Sequence, residues 1–355
     1  MSRRVAVTGL GMVTPLGHNV RETWQAILNG QCGIGPITRY DASRYHVQIA
    51  AEVKNWDPAQ VVSSRELRRH DRYQIFCYAA AREAIASAGL EISDGQHART
   101  SVVIGSAVGG VETFTEQTDI VHTTGDVRRV TPFGIPMIVP NGGGNMVSIL
   151  LGATGPSSTP VSACATGADC IGAAFELIRQ GHVDRALAGA GEAPIIPIGI
   201  GAFDRMGATS RRNDDPCGAM RPFAADREGL VFAEGAGVLV LEELETARAR
   251  GAPILAELVG YGATSDAFHM TAPDPDGQGA ARAIKLAMAM GDINATDIDY
   301  INAHGTATDL NDPMETKAVK LALGDHAYKV PMSSTKSMTG HGMGMTAAIE
   351  AIFAV

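Results

Sequence analysis

Residues 160–178 read PVSACATGADCIGAAFELI. An extended start at Pro160-Val161 gives way to a turn of small residues, Ser162-Ala163-Cys164-Ala165-Thr166-Gly167, and then to a helix. Ala168, Ile171, Phe175 and Ile178 fall close to helical spacing on one face. Arg179 suits the negative end of that helix, and Gly181 stands where a C-terminal cap belongs. Few strongly polar side chains interrupt it, chiefly Glu176, Arg179 and Gln180, so the helix is expected to be buried. Cys164 therefore sits at a strand-to-helix junction. There the positive end of the helix dipole and exposed backbone N–H groups favour thiolate, the nucleophilic form. Ala163, Ala165 and Gly167 leave room for a substrate to approach.

The pattern recurs near the other end of the chain. Residues 331–341, PMSSTKSMTGH, again read as strand and small-residue turn, and AAIEAIFAV (347–355) follows as an Ala-rich helix. ILAELVGYG (254–262) echoes the opening VAVTGLG (5–11). These echoes suggest a duplication, with a first half over 1–252 and a second over 253–355. Between these passages, strand-like runs at 4–8, 101–104, 185–188, 237–241 and 298–302 are separated by helical patterns. The helices are expected near 71–89, 165–180, 245–250, 279–291 and 312–322. Such alternation predicts an α/β protein.

The chain has 355 residues, enough for one large or two intermediate domains. Its 45% hydrophobic and 19% charged content is that of a globular protein. A net charge of −9 is the opposite of the balance a nucleic-acid binder shows. No apolar stretch approaches the roughly 20 residues of a membrane span. MSRRVAVTGLG runs straight into a strand-like segment, so no signal peptide and a cytoplasmic location are expected. Five cysteines, an odd number without CxxC spacing, argue against a disulfide framework or a zinc site. Cys32, Cys77, Cys170 and Cys217 are expected to be reduced structural thiols.

Two histidines stand in loops that resemble one another. His304 lies in NAHGTAT (302–308), after a strand-like DYINA, and His341 lies in SSTKSMTGHG (333–342). Each is flanked by Gly in a Ser/Thr-rich turn at a strand end, where α/β sheets place their ligands and chemistry. From these residues alone, a Cys–His thioester enzyme and a set of unrelated structural side chains both remain open.

VSACATG around Cys164, NAHGTAT around His304 and SSTKSMTGHG around Lys336 and His341 resemble the three active-site blocks of β-ketoacyl synthases, in order and spacing. DAFHMTAPDPDG (266–277) and RPFAADREGLVFAEGAGVLVLE (221–242) resemble further stretches of the type II elongation enzymes. The resemblance runs from residue 3 to the last residue. It implies a thiolase-like fold, layered αβαβα from two similar halves, and a homodimer. It also implies ping-pong chemistry with acyl and malonyl groups delivered by acyl carrier protein, and no metal or organic cofactor. Cys164 would carry the acyl chain, and His304 and His341 would hydrogen-bond the malonyl thioester as it decarboxylates. Lys336 would be a buried cation near His341 held by Glu315. Thr306 and Thr308 would hold the pantetheine arm, and Val108 and Phe203 would line the acyl pocket. Arg65, Arg68 and Arg69 would dock the acidic carrier protein, with Arg205, Arg211 and Arg212 close to Gly207, where relatives carry a basic residue.

Some positions depart from the pattern. Relatives continue for several tens of residues beyond the helix that follows His341. That stretch includes two strands and a Gly-Phe-Gly-Gly loop, so the second half is expected to be incomplete. Three glycines in Asn141-Gly142-Gly143-Gly144-Asn145 fall where relatives have a helix, and should weaken it by roughly 0.5–1 kcal/mol each. Gly342 and Met345 stand where relatives often have a bulkier and a smaller residue. Within the enzymes the alternative is a ketosynthase of a polyketide or specialised lipid pathway. A non-catalytic chain-length partner normally lacks the cysteine, and a thiolase pairs its cysteine with one histidine and a second cysteine.

Overall fold

The computed structural model describes residues 3–355. Its main sheet has six strands: β1 (Val5–Val13), β2 (Thr100–Gly105), β3 (Ser157–Ser158), β4 (Arg185–Glu192), β5 (Gly235–Glu243) and β6 (Ala256–Leu258). Their order is β3-β2-β4-β5-β1-β6. β2 runs parallel to β3 and β4, whereas β5 is antiparallel to both β4 and β1, and β6 is antiparallel to β1. Every residue of β2 and of β4 is buried, as expected of strands covered on both faces.

Seven helices position the site: α1 (Arg72–Ala88), α2 (Gly142–Leu151), α3 (Thr166–Arg179), α4 (Gln278–Gly291), α5 (Asn311–Leu323), α6 (Lys336–Thr339) and α7 (Gly344–Ala354). α1 starts at a capping box between Asp71 and Gln74 and stops at the left-handed Gly89. With α2 it covers one face of the main sheet, while α3 and α7 cover the other and pack on each other. A Cβ at Gly167 of α3 would meet Gly344 O and Ala348 N of α7 at 2.7 Å, so this glycine sets how closely the two helices approach. A second, parallel sheet of two short strands, β7 (Ile301–Asn302) and β8 (Met332–Ser333), carries α4 and α5. Val319, Leu323 and Val330 are buried there against Ile301 and Met332.

Three expectations change, and the glycine run acquires a structural reason. The run 254–262 does not simply open the second sheet: its β6 pairs Val5 with Leu258 along the outer edge of β1, covering backbone groups that would otherwise be unpaired. The strand expected over 298–302 shrinks to Ile301–Asn302, because a 3-10 turn occupies 295–297. The glycine run at 142–144 does form a helix, and its glycines are contact points. A Cβ at Gly142 would collide with the Gln74 side chain. At Gly143 it would meet Cys77 Sγ at 2.8 Å, and at Gly144 it would crowd Ile104 O at 3.1 Å. Finally, Cys32 and Cys217 are joined in a disulfide, with Cα atoms 5.8 Å apart. Only the fold brings together two loops 185 residues apart, so cysteine spacing gave no sign of the bond.

Candidate active site

Cys164 lies in a 3-10 turn, Ala163–Ala165, that leads directly into α3. Ala163 holds φ +52°, a conformation unfavourable for a residue with a Cβ, and so turns the chain sharply just before the thiol. His341 Nε2 is 3.1 Å from Cys164 Sγ, and Met343 Sδ is 3.9 Å away. Burial pushes the Cys164 thiol up to about 11; the Lys336 cation opposes this and the Glu192 carboxyl adds to it. The expected thiolate is therefore not the resting form. Desolvation at the bottom of the cleft outweighs the helix terminus.

His341 follows α6 and is pinned by its own backbone, which donates to Val231 O (2.7 Å) and accepts from Ala233 N (3.0 Å). The ring is 1% exposed. Its Nδ1 faces Thr346 Oγ1 at 3.3 Å, and the same hydroxyl accepts the Gly342 N–H at 2.8 Å. His304 follows β7 and meets His341 edge to face, ring centres 5.5 Å apart and planes at 84°. Its ring opens on the cleft, and among the described residues no side chain hydrogen-bonds either ring nitrogen. Glu315 instead accepts the backbone N–H groups of His304 (2.6 Å) and Gly305 (2.8 Å). Asp312 accepts that of Ala307 (3.1 Å), whose φ is +61°. Burial first, and Lys336 second, hold both imidazoles below their ordinary range, so both are neutral at neutral pH.

The cleft between these loops has a volume of about 1020 Å³, and Cys164, Phe203, His304, Thr306, Thr308 and His341 line it. The Thr306 and Thr308 hydroxyls are 2.9 Å apart, and Phe203 packs edge to face on Phe232. The structure does not bring Val108 into this wall. It is 43% exposed on the loop after β2.

Lys336 is fully buried, and its Nζ donates to Glu350 Oε1 at 2.7 Å. This corrects the expected Lys336–Glu315 pair, since Glu315 is occupied by the His304 loop. Burial raises the Glu350 carboxyl and Lys336 pulls it back. A further buried acid, Glu192 at the end of β4, accepts from Ser106 Oγ (2.9 Å) and the Ala107 amide, and burial pushes it up to about 8. Glu350, Thr346, Asp312 and Glu192 were not expected from the sequence. One signal was available for Asp312: with Glu315 it places two acids three apart in the first turns of α5. The other three depend on contacts that only the fold makes.

Arg65 and Arg68 are exposed and make no ion pair among the described residues. Arg69 differs: it pairs with Glu66 (3.7 Å) and lies over the Phe133 ring at 4.9 Å. Near the mouth, Arg205 is exposed, whereas Arg211 pairs with Asp204 (2.8 Å) and Arg212 with Glu228 (2.9 Å). The thiol of Cys164 and the rings of His304 and His341 offer ligand atoms all within 4.8 Å of one another. That spacing suits a metal ion, but the Lys336 cation acts on all three groups and opposes a second positive charge.

A thiol, two neutral imidazoles and a buried ammonium around one cleft are the groups of a carbon–carbon condensing site. The family model for the N-terminal domain of β-ketoacyl synthases matches residues 2–247, and that for the C-terminal domain matches 255–355. The chain belongs to the β-ketoacyl synthase family, with the thiolase-like fold. It is 46% identical to 3-oxoacyl-[acyl-carrier-protein] synthase 2 of Synechocystis, over 99% of this chain and 85% of that relative's length. A solved β-ketoacyl synthase from Burkholderia phymatum superposes with a TM-score of 0.91 at 35% identity, covering 99% of this chain and 85% of the other. A type II polyketide ketosynthase, solved with its acyl carrier protein and a bound hexaketide, gives 0.91 at 35%, covering 100% and 86%. No helix among the described residues is long and apolar enough to cross a membrane.

Proposed function

We propose that this chain is a 3-oxoacyl-[acyl-carrier-protein] synthase of fatty acid elongation, with Cys164 as nucleophile. The observation that carries this reading is the convergence of Cys164, His304 and His341, three residues from separate sequence blocks, with His341 Nε2 on the thiol. The cysteine sulfur attacks the thioester carbonyl of an acyl carrier protein, and the carrier thiolate leaves and takes up the proton that Cys164 gives up. A malonyl thioester then enters, with its carbonyl oxygen toward the two imidazoles. As CO2 departs, the electron pair of the broken C–C bond passes into an enolate that the two N–H donors stabilise. The enolate carbon attacks the acyl-Cys164 carbonyl, the sulfur leaves, and a 3-oxoacyl product two carbons longer is released.

Lys336 supports the site electrostatically, and Glu315 by holding the His304 loop. Thr306 and Thr308 are read as contacts for the pantetheine arm, and Phe203 as a pocket wall. Residues 1–252 form the half with the nucleophile, and 253–355 the half with both histidines. Carrier protein docks on Arg65 and Arg68, with Arg205 at the mouth. The molecule works as a homodimer. The free outer edge of β3 and the exposed Phe114, Ile135 and Ile149 support that reading. The cytoplasm is the proposed location; the Cys32–Cys217 bond weighs against it, since such bonds are rare in reducing compartments. Fatty acid elongation is preferred to polyketide synthesis because identity is 46% to the elongation enzyme and 35% to the polyketide enzyme.

The test is condensation of acyl- and malonyl-loaded carrier protein, read by mass, beside Cys164→Ala. Product two carbons longer, lost in the variant, is expected. Product that survives Cys164→Ala would remove the cysteine from the mechanism.

A further inference from the structure

Thr346 lies in the first turn of α7, 1% exposed, and its hydroxyl faces two groups. It accepts the Gly342 N–H at 2.8 Å, which occupies one lone pair. Its own proton then needs an acceptor. Among the described residues the sole acceptor within reach is His341 Nδ1, at 3.3 Å. The opposite arrangement, with Nδ1–H donating to the hydroxyl, would leave a buried O–H without a partner, an arrangement that folded proteins avoid. Ring protonation on both nitrogens is disfavoured first by burial, then by the buried Lys336 cation and the neighbouring His304.

We propose that Thr346 is a positioning residue that fixes the tautomer of His341: its hydroxyl donates to Nδ1, so the ring proton sits on Nε2. The inference rests on the condensing reading above and deepens it. Nε2 is the atom that faces Cys164 Sγ at 3.1 Å and opens on the cleft. With its proton held there, His341 donates to the sulfur and to the malonyl carbonyl in turn. It has no lone pair at Nε2 with which to accept the Cys164 proton. Thr346 thus divides the roles at the site, making His341 a hydrogen-bond donor and never the base.

Nitrogen NMR of the chain labelled with [15N]histidine, assigned against His341→Asn, reads the tautomer directly and does not depend on any activity. The expected result is a protonated Nε2 and an unprotonated, hydrogen-bonded Nδ1. Thr346→Val keeps the side-chain shape without the hydroxyl, and Thr346→Ser keeps the hydroxyl. In the valine variant the two tautomers should mix, and malonyl-carrier-protein decarboxylation should fall roughly tenfold in kcat with little change in KM. Serine should restore both, and acylation of Cys164 by acyl carrier protein should change less than decarboxylation. A wild-type Nδ1–H tautomer overturns the proposal, as does a folded valine variant with unchanged tautomer and decarboxylation. If the wild-type chain condenses nothing, the reading of function fails, and the NMR result still decides the role of Thr346.

Discussion

The two histidine loops reach the same cleft but are held in different ways. The His341 loop is fixed through its backbone, by Val231 and Ala233, and through its side chains as well: Thr346 on the ring, the Cys164 thiol on the other nitrogen, and Lys336 paired with Glu350. The His304 loop is fixed through its backbone, by two carboxylates of α5, and its ring is free of side-chain partners. A ring held on both sides keeps one orientation and one proton position. A ring held only at its backbone keeps its place but can turn to follow a substrate. The site thus pairs a ring bonded on both nitrogens with one whose loop is held through its backbone.

The largest expected effect tests the fixed side. Lys336→Met leaves Glu350 buried without its partner and should lower stability by about 3–5 kcal/mol. Glu350 already has its folded pKa raised by burial, and losing Lys336 raises it further. The folded state then holds the proton more tightly than the unfolded one. The deficit should therefore be small near pH 5 and grow as pH rises through the folded pKa. Thermal melts across pH check this, and a deficit that shrinks as pH rises would contradict the assignment.

Next come the rings. His304→Ala and His341→Ala should each slow malonyl decarboxylation by about 10²–10³-fold. Only the second should also lower the melting temperature clearly, since only that ring is hydrogen-bonded on both nitrogens; equal melts would break the contrast between the loops. Glu315→Ala should then cost roughly 10–100-fold in kcat by displacing the His304 backbone, an effect of the size that small misplacements produce. Steady-state kinetics would also show whether Glu315→Gln, which keeps one acceptor oxygen, recovers part of it.

Between these and the surface lies the pH response of the thiol. With Cys164 near 11, carboxamidomethylation by iodoacetamide should quicken about tenfold per pH unit between pH 7 and 10. Glu192→Gln should quicken it at a given pH and Lys336→Met should slow it, because the carboxyl raises the thiol and the cation lowers it. The smallest effects are those of the docking residues. Arg65→Glu and Arg68→Glu should raise the KM for carrier protein a few-fold at low salt, roughly, and less at high salt. Arg69→Ala should do less, because Glu66 and Phe133 already engage that side chain.

The sequence carried the α/β alternation, the buried helix after Cys164 and the three side chains that converge on the cleft. Each of these is written in short local patterns: a periodic apolar face, or a reactive residue among small ones. What it did not carry depends on contacts between distant segments. Lys336 could be recognised as a buried cation, but its partner Glu350 is chosen by the packing of α6 on α7, not by spacing. The Cys164 thiol was expected as thiolate because a helix start is visible in sequence, whereas the burial that outweighs it is not. Val108 was placed in the pocket by resemblance, yet it lies on an exposed loop. The glycines at 142–144 were legible as a helix weakness. Their contacts with Gln74, Cys77 and Ile104 show why the helix keeps them.

The position of β1 bears on how the chain acquires this arrangement. β1 begins at Val5, yet its two neighbours are β5 and β6, with Val5 opposite both Glu243 and Leu258. β1 thus waits for partners made some two hundred residues later. At a synthesis rate of roughly 5–20 residues per second that is a delay of roughly ten seconds or more. Until then an apolar ribbon has no sheet to join, and non-local pairing of this kind is slow even once the whole chain is available. Folding should therefore be limited by closure of the central sheet rather than by formation of the helices.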